Sequence, residues 1–451
     1  MLNEEDLYII EEHIRDYEPR INAMLEAEQY YMNKIDDSKV INHDFFNLMI
    51  EEKINYLLGK DPTVTSTQDA YADVCDNAFE EGLHATLIES AMDCSIKGIT
   101  WLQAYIDDIG ELKFMLIPSE EVIPVWVDKR HKELQQVIRY YPIEEYRGTQ
   151  KIIVWKLIIY DKDYQYFYER RDGKIQIDAE KYLNVPEGQE VSHFYLNGVG
   201  YSMGRVPFVP LKNNMKERSD LDAIKDLIDA YNFNRTREDE ILEGFKNFLV
   251  NVKNYAFDPE NVKSIDEMLR NRMIFTDGDG GVEVLTPSID TNANTSHNQT
   301  LKDDIILFGQ SVDRNKQVSG TAASGVALKA LYTGLDLKCN ALERQINKAI
   351  DECEYFIKEY CKLTHKGNFD SDNIEIVFNR DIALNEAEAV TMCKDSIGVI
   401  SNETIVKNHP FVTDFKQEME QIEKENNKEL DYMRNQIEQE QSGDADGRDK
   451  E

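Results

Sequence analysis

Apolar residues recur with two different periods along the chain, and the change of period marks where helices give way to strands. Helical spacing covers 4–35, and shorter helical patterns cover 44–58 and 69–97. From residue 100 to about 210, apolar residues alternate with polar ones, and aromatic and β-branched residues are frequent. A hairpin turn is predicted at 107–110. This half of the chain is therefore predicted to be helical first and then rich in strands.

Helical spacing returns in the second half of the chain. A helix is predicted over 219–245, with Ser219 as its cap and Asp222 three residues later. Another helix is predicted at about 297–312. The segment between them, 246–286, is predicted to hold a strand, a short helix and a hairpin.

The longest helical pattern follows Gly325 and is predicted to cover 326–362. Its apolar positions are spaced three or four apart: Leu328, Leu331, Leu335, Cys339, Leu342, Ile346, Ala349, Cys353, Phe356 and Tyr360. A helix of this length would extend for ~54 Å. A short strand and further helices are predicted over 374–410, and the chain after about residue 441 is predicted to be disordered. The fold class predicted from these patterns is α+β and mainly helical.

Charge and cysteine content narrow the class of protein. The 451 residues carry a formal net charge of −35, whereas a protein that binds DNA nonspecifically needs a basic surface. The six cysteines form no CxxC pair and no zinc-ligand spacing, so reduced, mostly buried thiols are predicted. The N-terminus lacks a signal-peptide pattern, and the longest apolar run, 151–160, is too short to cross a bilayer. No membrane partner is therefore expected.

The stretch QVSGTAASGVALK, residues 317–329, resembles the outline of a phosphate-binding loop. That motif requires Lys and then Ser or Thr directly after its second glycine, but Val326 and Ala327 follow Gly325 here. Lys329 lies one helical turn further along. We therefore interpret Ser324 as a helix cap and the glycines as a mobile entry to the long helix.

Other catalytic and metal-binding patterns are also incomplete. DGDGGVE, residues 277–283, places Val282 where a calcium loop needs glycine, so a hairpin turn is the better interpretation. The eight histidines include no HExxH arrangement, and no GxSxG motif occurs. Neither a metal, a cofactor nor an enzymatic activity is expected.

The stretch 311–345 has more cations than anions in an otherwise acidic chain. It contains Arg314, Lys316, Lys329, Lys338 and Arg344 against Asp313, Asp336 and Glu343, an excess of +2. One interpretation is a chance fluctuation. The other is a local basic belt that meets an anionic partner.

Four segments in order resemble the portal, or head-to-tail connector, proteins of tailed double-stranded-DNA bacteriophages, in the long-tailed branch. They are NHDFFNLMIEEKINYLLGKDP (42–62), GRVPFVPLKNNMKERSDLDAIKDLIDAYNFNRTREDE (204–240), SGVALKALYTGL (324–335) and VISNETIVKNHPFVTDFKQEMEQIEKE (399–425). Each segment alone is a weak signal. Their order and spacing across most of the chain make the resemblance specific.

The resemblance implies a portal fold in which each subunit contributes to a ring with a central channel. The implied domains are a wing (1–218), a stem helix (219–245), a clip (246–292), a second stem helix (293–312), a tunnel loop (313–325), a tunnel helix with wing return (326–373) and a crown with an acidic tail (374–451). Residues in the tunnel loop and at the start of the tunnel helix would then face DNA, namely Arg314, Lys316, Ser319, Gly320, Ser324, Gly325 and Lys329. Asp277, Asp279 and Glu283 would lie in the clip, where docking occurs.

The function implied is conduction of genomic DNA into and out of the capsid through one vertex of the virion. The implied partners are eleven further copies of the chain, viral double-stranded DNA, terminase, a head-completion or adaptor protein, scaffolding protein and the major capsid protein. Synthesis in the cytoplasm of a bacterial host is implied as well. Two alternatives stay open, namely another structural or scaffolding virion protein with long helices and a nucleotide-binding enzyme that uses the Gly-rich stretch.

Overall fold

The structure is a computed structural model of the chain. It describes residues 2–34, 40–171, 173–183, 190–244, 249–253, 281–285, 291–313, 325–380, 386–407 and 409–412, with short pieces up to residue 428. The chain forms two compact units. The first is Met1–Val312 with Gly334–Asp381, and the second is Asp313–Thr333 with Ile382–Glu451.

The described residues at the start of the first unit form four helices. They are α1 (Glu4–Tyr31), α2 (Phe45–Leu58), α3 (Asp69–Asn77) and α4 (Leu83–Lys97). A capping box starts α1, because the Asn3 side chain accepts the Asp6 N–H (2.9 Å) and the Asp6 carboxylate accepts the Asn3 N–H (3.0 Å). The prediction of one helix over 69–97 is wrong, since the chain turns before α4 at Gly82, whose φ is +84°.

The described residues before 213 form twelve strands. In chain order they are β1 (Thr63–Ser66), β2 (Ile99–Ile106), β3 (Leu112–Ile117), β4 (Val122–Trp126), β5 (Leu134–Arg147), β6 (Gln150–Tyr160), β7 (Tyr164–Arg171), β8 (Lys174–Ile177), β9 (Val191–Ser192), β10 (Phe194–Leu196), β11 (Val199–Tyr201) and β12 (Phe208–Lys212). Two antiparallel sheets contain most of them, in the orders β12–β2–β3 and β4–β5–β6–β7–β8. The predicted strand-rich region is therefore confirmed.

The turn between β2 and β3 follows the sequence prediction at 107–110. The Asp107 carboxylate accepts the N–H groups of Ile109 (3.0 Å) and Glu111 (2.8 Å). Gly110 has a φ of +89°, which a side chain would disfavour. The Asp and Gly of this turn therefore fix the hairpin from the local sequence alone.

Alternation along the strands gives the larger sheet two apolar faces. One face packs on α1 in a core made of Ile10, Ile14, Ile123, Ile138, Leu157, Ile159, Tyr166 and Tyr168. The opposite face contributes to a second core made of Met24, Ile99, Trp101, Ile117, Val122, Val137, Tyr160, Val206 and Phe208. Because neighbours such as Val137 and Ile138 point to opposite faces, one face of the sheet packs on the first half of α1, and the other contributes to the core that it shares with the smaller sheet and Met24.

A pair of helices follows the sheets. They are α5 (Lys225–Gly244) and α6 (Thr291–Phe308), which pack against each other. Glu238, late in α5, accepts a hydrogen bond from the Asn294 amide, early in α6. Beyond these ends, β13 (Leu249–Lys253) and β14 (Gly281–Leu285) pair antiparallel. The strand predicted near residue 250 is confirmed. The predicted short helix lies outside the described residues, and of the predicted hairpin only β14 is described.

The helix α7 (Gly325–Leu363) confirms the longest sequence prediction. Eight of its ten predicted stripe positions are buried, namely Leu335, Cys339, Leu342, Ile346, Ala349, Cys353, Phe356 and Tyr360. After α7 the chain forms β15 (Ile374–Val377), which pairs antiparallel with β1. The local helical period therefore identified this buried face correctly.

After residue 385, the described part of the second unit includes α8 (Glu386–Asp395) and α9 (Asn402–Lys407), and further helical residues lie at 418–426. The predicted tail after residue 441 lies outside the described residues. All six cysteines are described; five are buried and none forms a disulfide. Among the helices of the described chain, none is long and apolar enough to cross a membrane.

Candidate functional site

A buried lysine on α2 is the first residue of a polar cluster at the base of the α5–α6 pair. Lys53 is 1% exposed, and its ammonium donates to Ser95 Oγ (2.8 Å), Asn213 Oδ1 (2.6 Å) and Asp220 Oδ2 (2.9 Å). These three acceptors match the three N–H bonds of a lysine. The charge is therefore fully hydrogen-bonded although it is out of contact with water.

Asp220 lies at the centre of the cluster. Asp220 Oδ1 accepts a hydrogen bond from the Asn213 side-chain amide (2.8 Å). Asp220 Oδ2, which accepts from Lys53, also lies 3.1 Å from the Lys338 ammonium of α7, so two cations share one carboxylate. Lys338 in turn donates to the Gly309 carbonyl (2.9 Å), just after α6 ends. The cluster thus joins α2, the segment before α5, the end of α6 and α7.

The two lysines determine the charge state of the carboxyl. Burial by itself would raise the pKa of Asp220, but the Lys338 and Lys53 ammonium groups outweigh it and hold the pKa at about 2. Burial lowers the pKa of Lys338, against the opposite effect of Asp220. Asp220 is therefore an ionised carboxylate near neutral pH.

The end of α6 is closely packed against α2 at Gly309. A Cβ atom on Gly309 would lie 2.6 Å from Met49 Sδ and 2.7 Å from the Ile305 carbonyl oxygen. Both separations are shorter than van der Waals contact. Only glycine fits at this position without a shift of neighbouring atoms.

We expect Gly309→Ala to lower the free energy of unfolding by about 1–3 kcal/mol, the usual cost of overpacking. Gly334→Ala is the matched control, because its Cβ would meet no atom closer than 3.7 Å. Alanine at that helical position should stabilise by up to ~1 kcal/mol. Thermal denaturation of both variants checks this pair, and equal melting temperatures for Gly309→Ala and the parent would contradict the close contact.

The predicted DNA-facing residues lie mostly outside the described residues. These are Arg314, Lys316, Ser319, Gly320 and Ser324, together with Asp277 and Asp279 of the predicted docking set. Of the remainder, Gly325 begins α7, Lys329 lies in its first turns, and Glu283 pairs with Asn251 in the β13–β14 ladder. Their roles stay predictions.

The basic belt predicted over 311–345 needs correction at Lys338. That lysine is bonded to Asp220 and to the Gly309 carbonyl, so it is not available to an external anion. Two acidic residues of the same stretch, Asp336 and Glu343, instead bind Arg380, which also donates to Asn340 (2.6 Å). Arg344 is exposed. The charge count alone did not distinguish buried pairs from exposed groups.

Ser219 has a different role from the predicted one. The helix α5 begins at Lys225, six residues later than the pattern predicts. The Ser219 hydroxyl accepts the Leu221 N–H (3.0 Å) at the start of a 3-10 turn, Leu221–Ala223, and donates to the Ile96 carbonyl (2.5 Å). It therefore ties this turn to α4, and Asp220 beside it is positioned for the cluster.

Sequence reasoning missed the cluster itself, although one signal was available. Lys53 lies in the first of the four segments that carry the family resemblance, and Asn213 and Asp220 lie in the second. Their side chains meet in the structure. No group of three or more His, Cys, Asp or Glu side chains that could hold a metal ion occurs among the described residues.

Comparisons with known proteins agree with that resemblance. The chain matches the profile of the family described as phage portal protein, SPP1 Gp6-like, over residues 6–432. The portal protein of Bacillus phage SPP1 is 30% identical, with 98% of this chain and 91% of that protein aligned. The portal protein of Clostridium phage phiCD119 is 28% identical over 88% of this chain and 90% of its own length.

A solved chain from the virion of a native gene transfer agent particle covers 84% of this chain and 91% of its own. Its TM-score of 0.46 at 10% identity is too low to identify a fold by itself. The profile match and the 30% identity do not depend on it. Because both extend over nearly the whole length, this chain belongs to the SPP1 Gp6-like family of phage portal proteins.

Proposed function

We propose that this portal protein assembles into a ring at one capsid vertex and conducts double-stranded DNA during packaging and ejection. Portal proteins are structural components of the virion. The observation that carries the proposal is the family match over residues 6–432. The arrangement of α5, α6 and the β13–β14 pair supports it, since a helix pair that ends in a small β-structure fits a stem and clip.

The proposed domains keep the boundaries predicted from the sequence. The wing is 1–218, the two stem helices are 219–245 and 293–312, and the clip lies between them at 246–292. The tunnel loop is 313–325, and the tunnel helix with the wing return is 326–373. The crown is 374–451.

Electrostatics supports a channel in which DNA slides. Twelve copies at −35 each would carry about −420, so the ring as a whole repels phosphate. Lys and Arg contacts to phosphate release counterions and add affinity. Three cations in the loop and the first turns of the tunnel helix, Arg314, Lys316 and Lys329, would then guide DNA without holding it.

The ends of such a ring would serve different partners. We infer that the clip docks terminase during packaging and a head-completion protein afterwards, through carboxylates that include Asp277, Asp279 and Glu283. Scaffolding and major capsid proteins would contact the outside of the ring. These assignments follow from family membership and from the position of these residues in the proposed clip.

We expect the purified protein to form rings of twelve subunits, with a mass of twelve times 52.3 kDa, about 628 kDa. Size-exclusion chromatography with light scattering measures the mass, and end-on negative-stain images show whether an axial hole is present. A monomer or dimer at every salt concentration would contradict the proposal. Solid particles or fibres would instead favour a different structural virion protein.

A further inference from the structure

One stripe of α2 contacts the chain where it leaves α6. The Glu52 carboxylate accepts the Val312 N–H (3.0 Å) and the Ser311 hydroxyl. One turn earlier on the same stripe, Met49 packs against Gly309. The four residues 309–312 are therefore held to α2 by one close contact and two hydrogen bonds to a charged group, which are stronger than neutral ones.

The same stripe also contacts the chain where it returns in α7. The Tyr56 hydroxyl donates to the Asp336 carboxylate (3.1 Å). Lys53, beside Glu52, shares the Asp220 carboxylate with Lys338. The return segment 334–338 is therefore held to the same helix as the exit segment.

Exit and return segments are also bonded to each other. Lys338 donates to the Gly309 carbonyl. Gly334 lies beside Gln310, because a Cβ atom built on Gly334 would be 3.7 Å from the Gln310 Cα. Met49, Glu52, Lys53 and Tyr56 have the spacing of one helix face, i, i+3, i+4 and i+7. One rigid helix thus sets the distance between the two ends of the intervening chain.

We propose that this face of α2 is a clamp that fixes both ends of the chain segment between α6 and the body of α7, with Glu52 as its positioning residue. The contacts of the clamp do not depend on the proposed portal function. Only the consequence of the clamp, the placement of the DNA-facing cations, rests on that function. The segment itself carries those cations, and a chain held at both ends samples fewer positions than one held at a single end. Glu52 acts through Ser311 and Val312 and does not itself meet DNA.

The test compares Glu52→Ala with Glu51→Ala in the full-length protein. Each variant removes one carboxylate from α2, but Glu51 accepts the Tyr31 hydroxyl (2.8 Å) instead of the exit segment. We expect amide hydrogen exchange at Val312 to become about tenfold faster or more in Glu52→Ala, the scale of a lost hydrogen bond to a charged group, and to be unchanged in Glu51→Ala. Equal exchange in both variants would overturn the clamp.

Glu52→Gln and Ser311→Ala separate the loss of the Val312 hydrogen bond from a general loosening of α2. The glutamine retains an oxygen that can accept both hydrogen bonds, so Val312 exchange should return most of the way to the parent rate. Ser311→Ala removes one donor and should leave the Val312 hydrogen bond in place. Parent-like exchange in Glu52→Gln together with faster exchange in Glu52→Ala supports the clamp. Fast exchange in Glu52→Gln and Ser311→Ala alike would overturn it.

DNA packaging separates the clamp from the function it serves. Rings of Glu52→Ala should keep the parental mass but yield fewer DNA-filled particles than rings of Glu51→Ala. Normal packaging by Glu52→Ala would overturn the functional part of the inference. If the parent protein itself neither forms rings nor supports packaging, the proposed function fails, while the exchange experiment still decides whether the clamp exists.

Discussion

Asp220→Asn is expected to lower the free energy of unfolding by about 3–5 kcal/mol, since removing one member of a buried charge pair leaves the others uncompensated. Here two ammonium groups, those of Lys53 and Lys338, would face each other around a neutral amide. The asparagine has nearly the same shape, so the loss would come from charge and hydrogen bonding. Denaturation at matched protein concentration checks this, because assembly into the proposed ring would also contribute to apparent stability.

Asp222→Asn is the matched control for this substitution. Asp222 is two residues away, 44% exposed, and pairs with the exposed Arg218. Exposed pairs of this kind contribute at most about 1 kcal/mol. A similar loss in both variants would show that the Asp220 cluster has no special role in stability.

The Asp220 cluster also predicts a pH dependence with a definite sign. The pKa of Asp220 is about 2 in the folded protein, below the ordinary aspartate value of about 3.9. A carboxyl whose folded pKa is lowered contributes stability above its unfolded pKa and loses it as the pH falls towards the folded pKa. The difference in stability between the parent and Asp220→Asn should therefore shrink between about pH 4 and pH 2.

Replacing Arg314, Lys316 and Lys329 together with glutamate is expected to reduce DNA-filled particles by about tenfold or more while the ring mass stays unchanged. The substitutions remove three cations per subunit and add three carboxylates, so the net charge falls from −35 to −41. Near a DNA backbone this replaces attraction by repulsion. Counting filled and empty particles by electron microscopy measures the effect.

A control variant with the same change of net charge uses Lys129, Arg130 and Lys132. These cations are exposed in the turn between β4 and β5, within the proposed wing. Their replacement with glutamate also gives −41, so an effect of overall charge would appear in both variants. Normal DNA-filled particles from the tunnel-loop variant would remove the proposed role of its three cations.

Several elements could be predicted because their causes are local. The Asp107 and Gly110 turn needs only a side chain that accepts nearby N–H groups and a residue that tolerates positive φ. The buried stripe of α7 is a periodic pattern within one segment. The family could also be recognised, because four ordered segments were sufficient and the comparisons confirm it.

Other features could not be predicted because they depend on residues far apart in the chain. The late start of α5 is one such feature, because the Ser219 hydroxyl before it donates to the Ile96 carbonyl of α4. Lys338 looked like one cation of a basic belt. Only its distance to Asp220, a residue more than a hundred positions earlier, shows that its charge is already paired.

The sequence by itself determined the order of helices and strands, the apolar faces that must be buried, the acidic net charge and the family, since these are properties of composition and short periods. Tertiary structure alone decided which charges meet. The α2 stripe of Glu52, Lys53 and Tyr56 has ordinary helical spacing in the sequence. Its role arises because folding brings the end of α6 and the start of the buried part of α7 to the same face, where polar groups removed from water must find partners.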